Sequence, residues 1–257
     1  MTGQDRPVIA ASTLVLFHET DEGPAEHLMI ERAAGMVFAA GALVFPGGRI
    51  DAEDQMLAER GDIAVGGGDL DDRAARIAAI RETIEETGVA VGFDTAPDDG
   101  ILQEWRRALK AGTHFADLLR ADGSSIDLDA LVPFARWCPN LGEHRRFDTR
   151  FFIARAPGRN AIVTDADEVR SHRWITAQAA VDAAAQGALH IIFPTLRNLE
   201  RLATCDRYDA AVAHARSIAP QVISPEIREE DGDQWLCIPN EAGYPVTRAR
   251  LSELTGP

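Results

Sequence analysis

The chain has 257 residues, and its apolar and charged fractions of 46% and 26% are those of a folded globular protein rather than a disordered one. A formal net charge of −15 repels polyanions and argues against nucleic-acid binding, so an enzyme of this charge that handles phosphates must recruit cations or concentrate a few arginines. Cys138, Cys205 and Cys237 form no CxxC pair, which argues against structural zinc and a disulfide framework. With no signal peptide and no apolar run of spanning length, a cytoplasmic, non-membrane protein is expected.

In chain order, Ala11–Phe17 and Leu28–Ile30 read as strands joined by a polar turn. Ala42–Phe45 is a third, stopped by Pro46-Gly47-Gly48. Residues 49–70 are acidic and glycine-rich and predict an exposed excursion, with one helical piece at Glu53–Arg60. A helix is expected from Asp72 to Thr87, capped by Asp71, with Ile77, Ile80 and Ile84 on one face and Gly88 as a left-handed C-terminal cap. Val89–Phe93 reads as a short strand, and 98–132 as helical with Trp105, Leu109, Phe115, Leu118 and Leu119 in the core. Strands return at Phe134–Trp137, Phe151–Ala154 and His172–Ile175. Helices follow at Ala177–Gln186 and Pro194–Cys205, and a last strand at Trp235–Ile238. These interleaved elements fit a mixed sheet between helical layers, and no linker divides the chain. The expectation is one domain over 1–257, with insertions at 49–70 and 98–132 and a C-terminal helical extension at 190–257 carrying a late strand.

The chemistry concentrates in Phe45-Pro46-Gly47-Gly48 and Arg81-Glu82-Thr83-Ile84-Glu85-Glu86-Thr87-Gly88-Val89. At about 100° per residue Glu82, Glu85 and Glu86 share one arc of the helix, Ile84 lies opposite, and Arg81 can pair with Glu85 one turn on. An acidic helix face is ordinarily a solvated one. Here, however, two of the acids sit in the last turn, where the helix dipole opposes them, and all three repel one another. That cost without local gain points to a cation site. Oxygen-only ligation favours Mg²⁺ or Mn²⁺ over zinc.

The pattern resembles the Nudix box: Gly, five residues, Glu, seven residues, then Arg-Glu-apolar-x-Glu-Glu-x-Gly-apolar. Gly48, Arg81, Glu82, Glu85, Glu86 and Gly88 match in order, while Thr83 replaces an apolar residue and Asp54 stands at the first glutamate. The stretch from Asp54 to Arg81 is far longer than the pattern allows, so Asp54 is not expected to inherit that glutamate's local helical contacts. FPGGRIDAED followed by AIRETIEETG resembles the branch with an insertion inside the box, the group of the peroxisomal coenzyme A diphosphatase. The Arg32…Gly41-Ala42-Leu43-Val44 approach, the Arg146–Phe152 run and Trp174 extend the likeness over roughly 10–205.

The resemblance implies an α/β fold, a Nudix α/β/α sandwich with a mixed sheet, extra helices and the box as loop–helix–loop. It implies Glu82, Glu85 and Glu86 as metal ligands and catalytic groups, with Glu82 also a candidate to orient or deprotonate water. Arg81 would orient them, and Gly47 and Gly48 would allow close backbone approach to metal or phosphate. Glu168 is the candidate fourth metal ligand, with Asp165, Asp167 and Glu143 as rivals. Arg32 and Arg146, beside Arg145 and Arg150, are candidates to bind substrate phosphate, with surface pairing as the alternative. His144, His172 and His190 are candidate bases or structural histidines. The implied partner is a small nucleotide diphosphate, with coenzyme A or its thioesters first. ADP-ribose, NADH or nucleotide sugars are the alternatives, as is a module that senses a nucleotide without cutting it. A homodimer is left open.

Overall fold

The computed structural model describes residues 7–33, 41–140, 146–158 and 169–254. At its centre is β1 (Val8–His18), an apolar strand covered on both faces, as its lack of polar alternation requires. Leu14 and Leu16 point into one core cluster, Val15 and Phe17 into another. On one side β1 pairs in parallel with β8 (Arg146–Arg155). On the other it pairs antiparallel with β2 (Glu26–Arg32) at Phe17 and His18, and with β4 (Gly47–Arg49) at Ala11, Ser12 and Thr13. β3 (Leu43–Val44) and β9 (Val169–Thr176) both pair with β2. β7 (Val132–Trp137) joins β8 to the edge strand β10 (Val222–Ile223). The product is a mixed eight-stranded sheet with helices on both faces. Pro46-Gly47-Gly48, which reads as a turn, instead leads straight into β4, because Gly47, with no Cβ, lets the strand lie close beside Ser12 and Thr13 of β1.

The first face is covered by α2 (Leu70–Thr87). Its N-cap is Asp69 rather than Asp71: the Asp69 carboxylate accepts the Asp72 N–H at 2.9 Å. Gly88, at φ +74°, closes it as expected. α3 (Asp99–Lys110) and α4 (Phe115–Asp122) join the same core through Leu102, Trp105, Phe115 and Leu119. Leu109 and Leu118 pack at its edge. Val89–Phe93 forms no strand. Val89, Ala90 and Val91 are buried there, and the nearby strand pair is β5 (Ala64–Val65) with β6 (Ile126–Asp127).

The helical piece expected at Glu53–Arg60 forms, but the expectation that 49–70 stays outside the core is overturned. α1 (Ala52–Ala58) packs along α2, and Leu57, Ala58, Ile63 and Ala64 enter the core. The acidic composition misleads because Leu57 and Ala58 of α1 face inward, and the one acid on that side, Asp54, is buried against Arg81. Arg73 of α2 staples the segment down, donating to the carbonyls of Ala58 (2.6 Å), Ala64 (2.8 Å) and Gly66. Gly66 and Gly67 adopt positive φ, and the Gly67 N–H donates to Asp129 Oδ1 at 3.1 Å, a turn and no phosphate loop.

α5 (Ala177–Ala185), α6 (Phe193–Leu202) and α7 (Tyr208–Arg216) serve the second face. Beyond them, where one late strand is expected, stands a three-stranded antiparallel sheet of β11 (Glu226–Glu230), β12 (Asp233–Cys237) and β13 (Arg248–Arg250). β11 escapes a pattern search because every residue in it is exposed, leaving no alternation to read. The Asp231-Gly232 turn, both residues at positive φ, is its one signal.

Candidate functional site

The last two turns of α2 carry Glu82 and Glu86 onto β4, with Glu85 beside them on Arg81. Glu86 is buried, and its Oε2 accepts the Gly47 N–H at 2.8 Å. The Glu82 carboxyl lies flat on Gly48, so that a Cβ at position 48 would overlap it; a Cβ at position 47 would strike Ser12 and Thr13 of β1. Both glycines therefore serve close approach, here of strand to carboxylate and of strand to strand. Glu82 and Glu86 face the sheet rather than pointing outward. Thr83, out of place by the family pattern, is fully buried and donates its hydroxyl to the Ala79 carbonyl at 2.7 Å, so its polarity is satisfied within the helix.

Arg81 is the hub of the site. It donates from Nε and Nη2 to the two Asp54 oxygens at 2.9 Å each, and from Nη1 to Glu82 Oε1 (2.9 Å) and Glu85 Oε1 (2.8 Å). Nη2 also reaches the Arg49 carbonyl at 3.1 Å. The Glu85 bond is the one-turn pairing that the spacing predicts. The Asp54 bond corrects the sequence reading. α1 folds back along α2 and delivers a carboxylate that is 2% exposed to an arginine 27 positions later. Asp54 also accepts the Asp51 N–H at 2.9 Å in a capping box, which fixes its rotamer.

The electrostatics follow from this crowding. Burial pushes the Glu82 carboxyl up to about 7, with Glu85 and Asp54 adding repulsion against the pull of Arg81. Burial works against the Arg81 charge, yet the Asp54 bond and the field of Glu82 raise its pKa well above the ordinary arginine value.

The donor set suits a hard divalent ion in kind: Glu82 and Glu86 lie against Gly48 and Gly47, Glu85 stands beside them on Arg81, and burial leaves Glu82 protonation-prone. Among the described residues no three acidic, histidine or cysteine side chains stand in chelating geometry. The reason is local. Arg81 holds oxygens of Glu82 and Glu85, and the Gly47 amide holds one of Glu86, so those donors would have to yield, or share the carboxylate lone pairs, for an ion to be held there.

The other candidates fare unequally. Glu168, Asp165, Asp167, Glu143, His144 and Arg145 lie outside the described residues. Arg32 ends β2, with main-chain bonds to Ala42 and Gly41 and a buried Nε that has no partner among the described residues. Arg146 opens β8 opposite Val8, and its Nε also has no partner among the described residues. Two strands and four residues separate it from Gly48, on the order of 16 Å by strand geometry. Arg150 pairs with Asp72 at 3.3 Å, near the opposite end of α2 from the glutamates. His172 and His190 are exposed. Trp105 and Trp137, 5% and 1% exposed, pack in the core against Phe93 and Phe115 and against Phe193 and Tyr244 respectively.

One residue carries no sequence signal at all. Arg106 of α3, 8% exposed, donates from Nε to the Glu85 carbonyl at 2.9 Å.

Comparison with known proteins agrees with this geometry. The family model described as the NUDT19 Nudix domain matches residues 60–202. The chain is 25% identical to the putative nudix hydrolase 7 of Caenorhabditis elegans, over 84% of this chain and 69% of that one. It is 26% and 27% identical to the acyl-coenzyme A diphosphatases NUDT19 of Xenopus laevis and Homo sapiens, over 69% and 68% of this chain. The matches span 59% and 60% of those two proteins. A NUDIX hydrolase from Alicyclobacillus acidocaldarius superposes with a TM-score of 0.72 at 27% identity, covering 82% of this chain and 97% of that one.

Proposed function

The chain belongs to the Nudix hydrolase superfamily, in the branch of the NUDT19 Nudix domain, and from that premise we propose that it hydrolyses the diphosphate linkage of a nucleoside diphosphate derivative. The observation that carries the reading is that Glu82 lies against Gly48 and Glu86 accepts the Gly47 amide, with Arg81 gripping Glu82 and Glu85. Family members typically use divalent ions, and Mg²⁺ or Mn²⁺ held by these carboxylates would neutralise the diphosphate and activate water. The chain's own part is positioning. β4 forms the floor, and Arg81 sets the carboxylate rotamers while Asp54 holds Arg81. Water adds across one P–O–P bond, giving a nucleoside monophosphate and a second phosphate.

Coenzyme A or an acyl-coenzyme A is the first substrate to test, on the strength of the FPGGRIDAED…AIRETIEE pattern and the names of the two NUDT19 relatives. ADP-ribose, NADH and nucleotide sugars are the comparison set. Steady-state kcat/KM for each is measured with saturating Mg²⁺ and again with Mn²⁺. Coenzyme A is expected to lead. If another substrate exceeds it by about tenfold, roughly 1.4 kcal/mol of transition-state discrimination, the coenzyme A assignment falls while the hydrolase reading stands. No turnover of any of them with either metal would overturn the hydrolase reading and favour a nucleotide-sensing module.

A further inference from the structure

The last turn of α2 must solve a problem that its own sequence does not. The final carbonyls of a helix lack partners within it, and the helix dipole places negative charge where Glu85 and Glu86 add more. α2 has no basic residue in its last turn. The Gly88 N–H takes the Ile84 carbonyl at 2.8 Å, and the Thr87 hydroxyl takes the Thr83 carbonyl at 2.6 Å. The Glu85 carbonyl is taken by the guanidinium of Arg106, brought in from α3, whose Cδ would lie 3.6 Å from a Cβ at position 88. Glu85 is thus held twice: its side chain by Arg81 and its main chain by Arg106.

We propose that Arg106 is a positioning residue for the carboxylate site: through the Glu85 carbonyl it holds the last turn of α2 closed, and so keeps Glu85 and Glu86 in register with Glu82. The proposal rests on the metal-binding reading of those glutamates. It assigns a function to the 98–132 helices beyond filling the core, since α3 supplies the cation that α2 lacks.

The test uses the full chain with Arg106→Met, which removes both charge and donors, and Arg106→Lys, which keeps the charge. In the metal-free proteins, amide hydrogen exchange at Gly88, whose N–H closes the last turn, is expected to speed up about tenfold in Arg106→Met. Exchange in the first turns of α2 stays within about twofold. Mn²⁺ alone, titrated by electron paramagnetic resonance while both proteins are fully folded, is expected to bind about tenfold more weakly to Arg106→Met, with Arg106→Lys recovering at least a third of the affinity. Turnover should fall through kcat with KM within about twofold. Unchanged Gly88 exchange overturns the proposal whatever the metal does, and so does unchanged Mn²⁺ affinity in a variant that has only lost thermal stability. A rise in KM alone would make Arg106 a substrate contact and also overturn it. If the wild-type chain fails to bind Mn²⁺, the metal reading fails and the exchange result alone decides the role of Arg106.

Discussion

The two halves of α2 use arginine in opposite ways. In the N-terminal half, Arg73 donates to the carbonyls of Ala58, Ala64 and Gly66, and Arg76 to those of Leu128 and Leu131 at 2.9 Å each. Main-chain carbonyls bear no net charge and cannot be titrated, so these bonds are fixed staples that hold the inserted segments to the helix. In the C-terminal half, Arg81 donates chiefly to carboxylates, those of Asp54, Glu82 and Glu85. Those bonds compete with any other cation that reaches the site. The same residue type therefore meets main-chain carbonyls at one end and a cluster of carboxylates at the other. The difference lies in the partner rather than in the arginine.

Trimming residues 52–68 to a short loop puts that contrast to its severest test. It removes Leu57 and Ile63 from the core, at about 2–5 kcal/mol each, and leaves Arg81 without Asp54. Together these approach the whole stability of a domain of this size, so loss of soluble folded protein is expected. A trimmed chain that folds and melts like the parent would show that the insertion is peripheral after all.

Glu85→Gln and Glu86→Gln should each lower turnover by about a hundredfold or more, because the carboxylate charge is what a metal needs. Stability of the metal-free protein should move by no more than about 1 kcal/mol, since Arg81 retains Asp54 and a glutamine oxygen can still accept the Gly47 amide. Near-normal turnover of both variants at saturating Mg²⁺ would refute the site.

Arg76→Met is the mirror image. It strands the Leu128 and Leu131 carbonyls and should destabilise by about 2 kcal/mol in urea titration while kcat/KM of the folded enzyme stays within about threefold. A large loss of activity without a loss of stability would erase the distinction between the two halves.

The last effect lies on the other face of the sheet and shows only as the pH falls. His27 is buried, with Nδ1 at 3.1 Å from the Leu16 carbonyl, and burial lowers its pKa to about 4 from the usual 6.5. As pH falls the unfolded chain takes up this proton first. The contribution is therefore intact above pH 6.5, down by about 1 kcal/mol at pH 6, and fully lost by pH 4, below which it is flat. Urea midpoints measured from pH 7 to pH 4 should show this acid limb in the wild type and a shallower one in His27→Asn; identical limbs would assign the pH dependence elsewhere.

The sequence by itself determined what short-range pattern can encode. The apolar run of β1 made it central, and the 3.6-residue period of α2 placed Ile77, Ile80 and Ile84 in the core. The one-turn spacing paired Arg81 with Glu85, and the box residues marked the family. Only the tertiary structure decided which partners meet across long stretches of chain. Asp54 reaches Arg81 over 27 positions and Arg106 reaches Glu85 over 21. The acidic insertion turns its apolar side inward, and a charged, patternless strand becomes β11. A local sequence window records the periodicity of one element; it does not record the fold-back that brings a second element against it. A buried charge is tolerated only because that fold-back delivers its counter-charge.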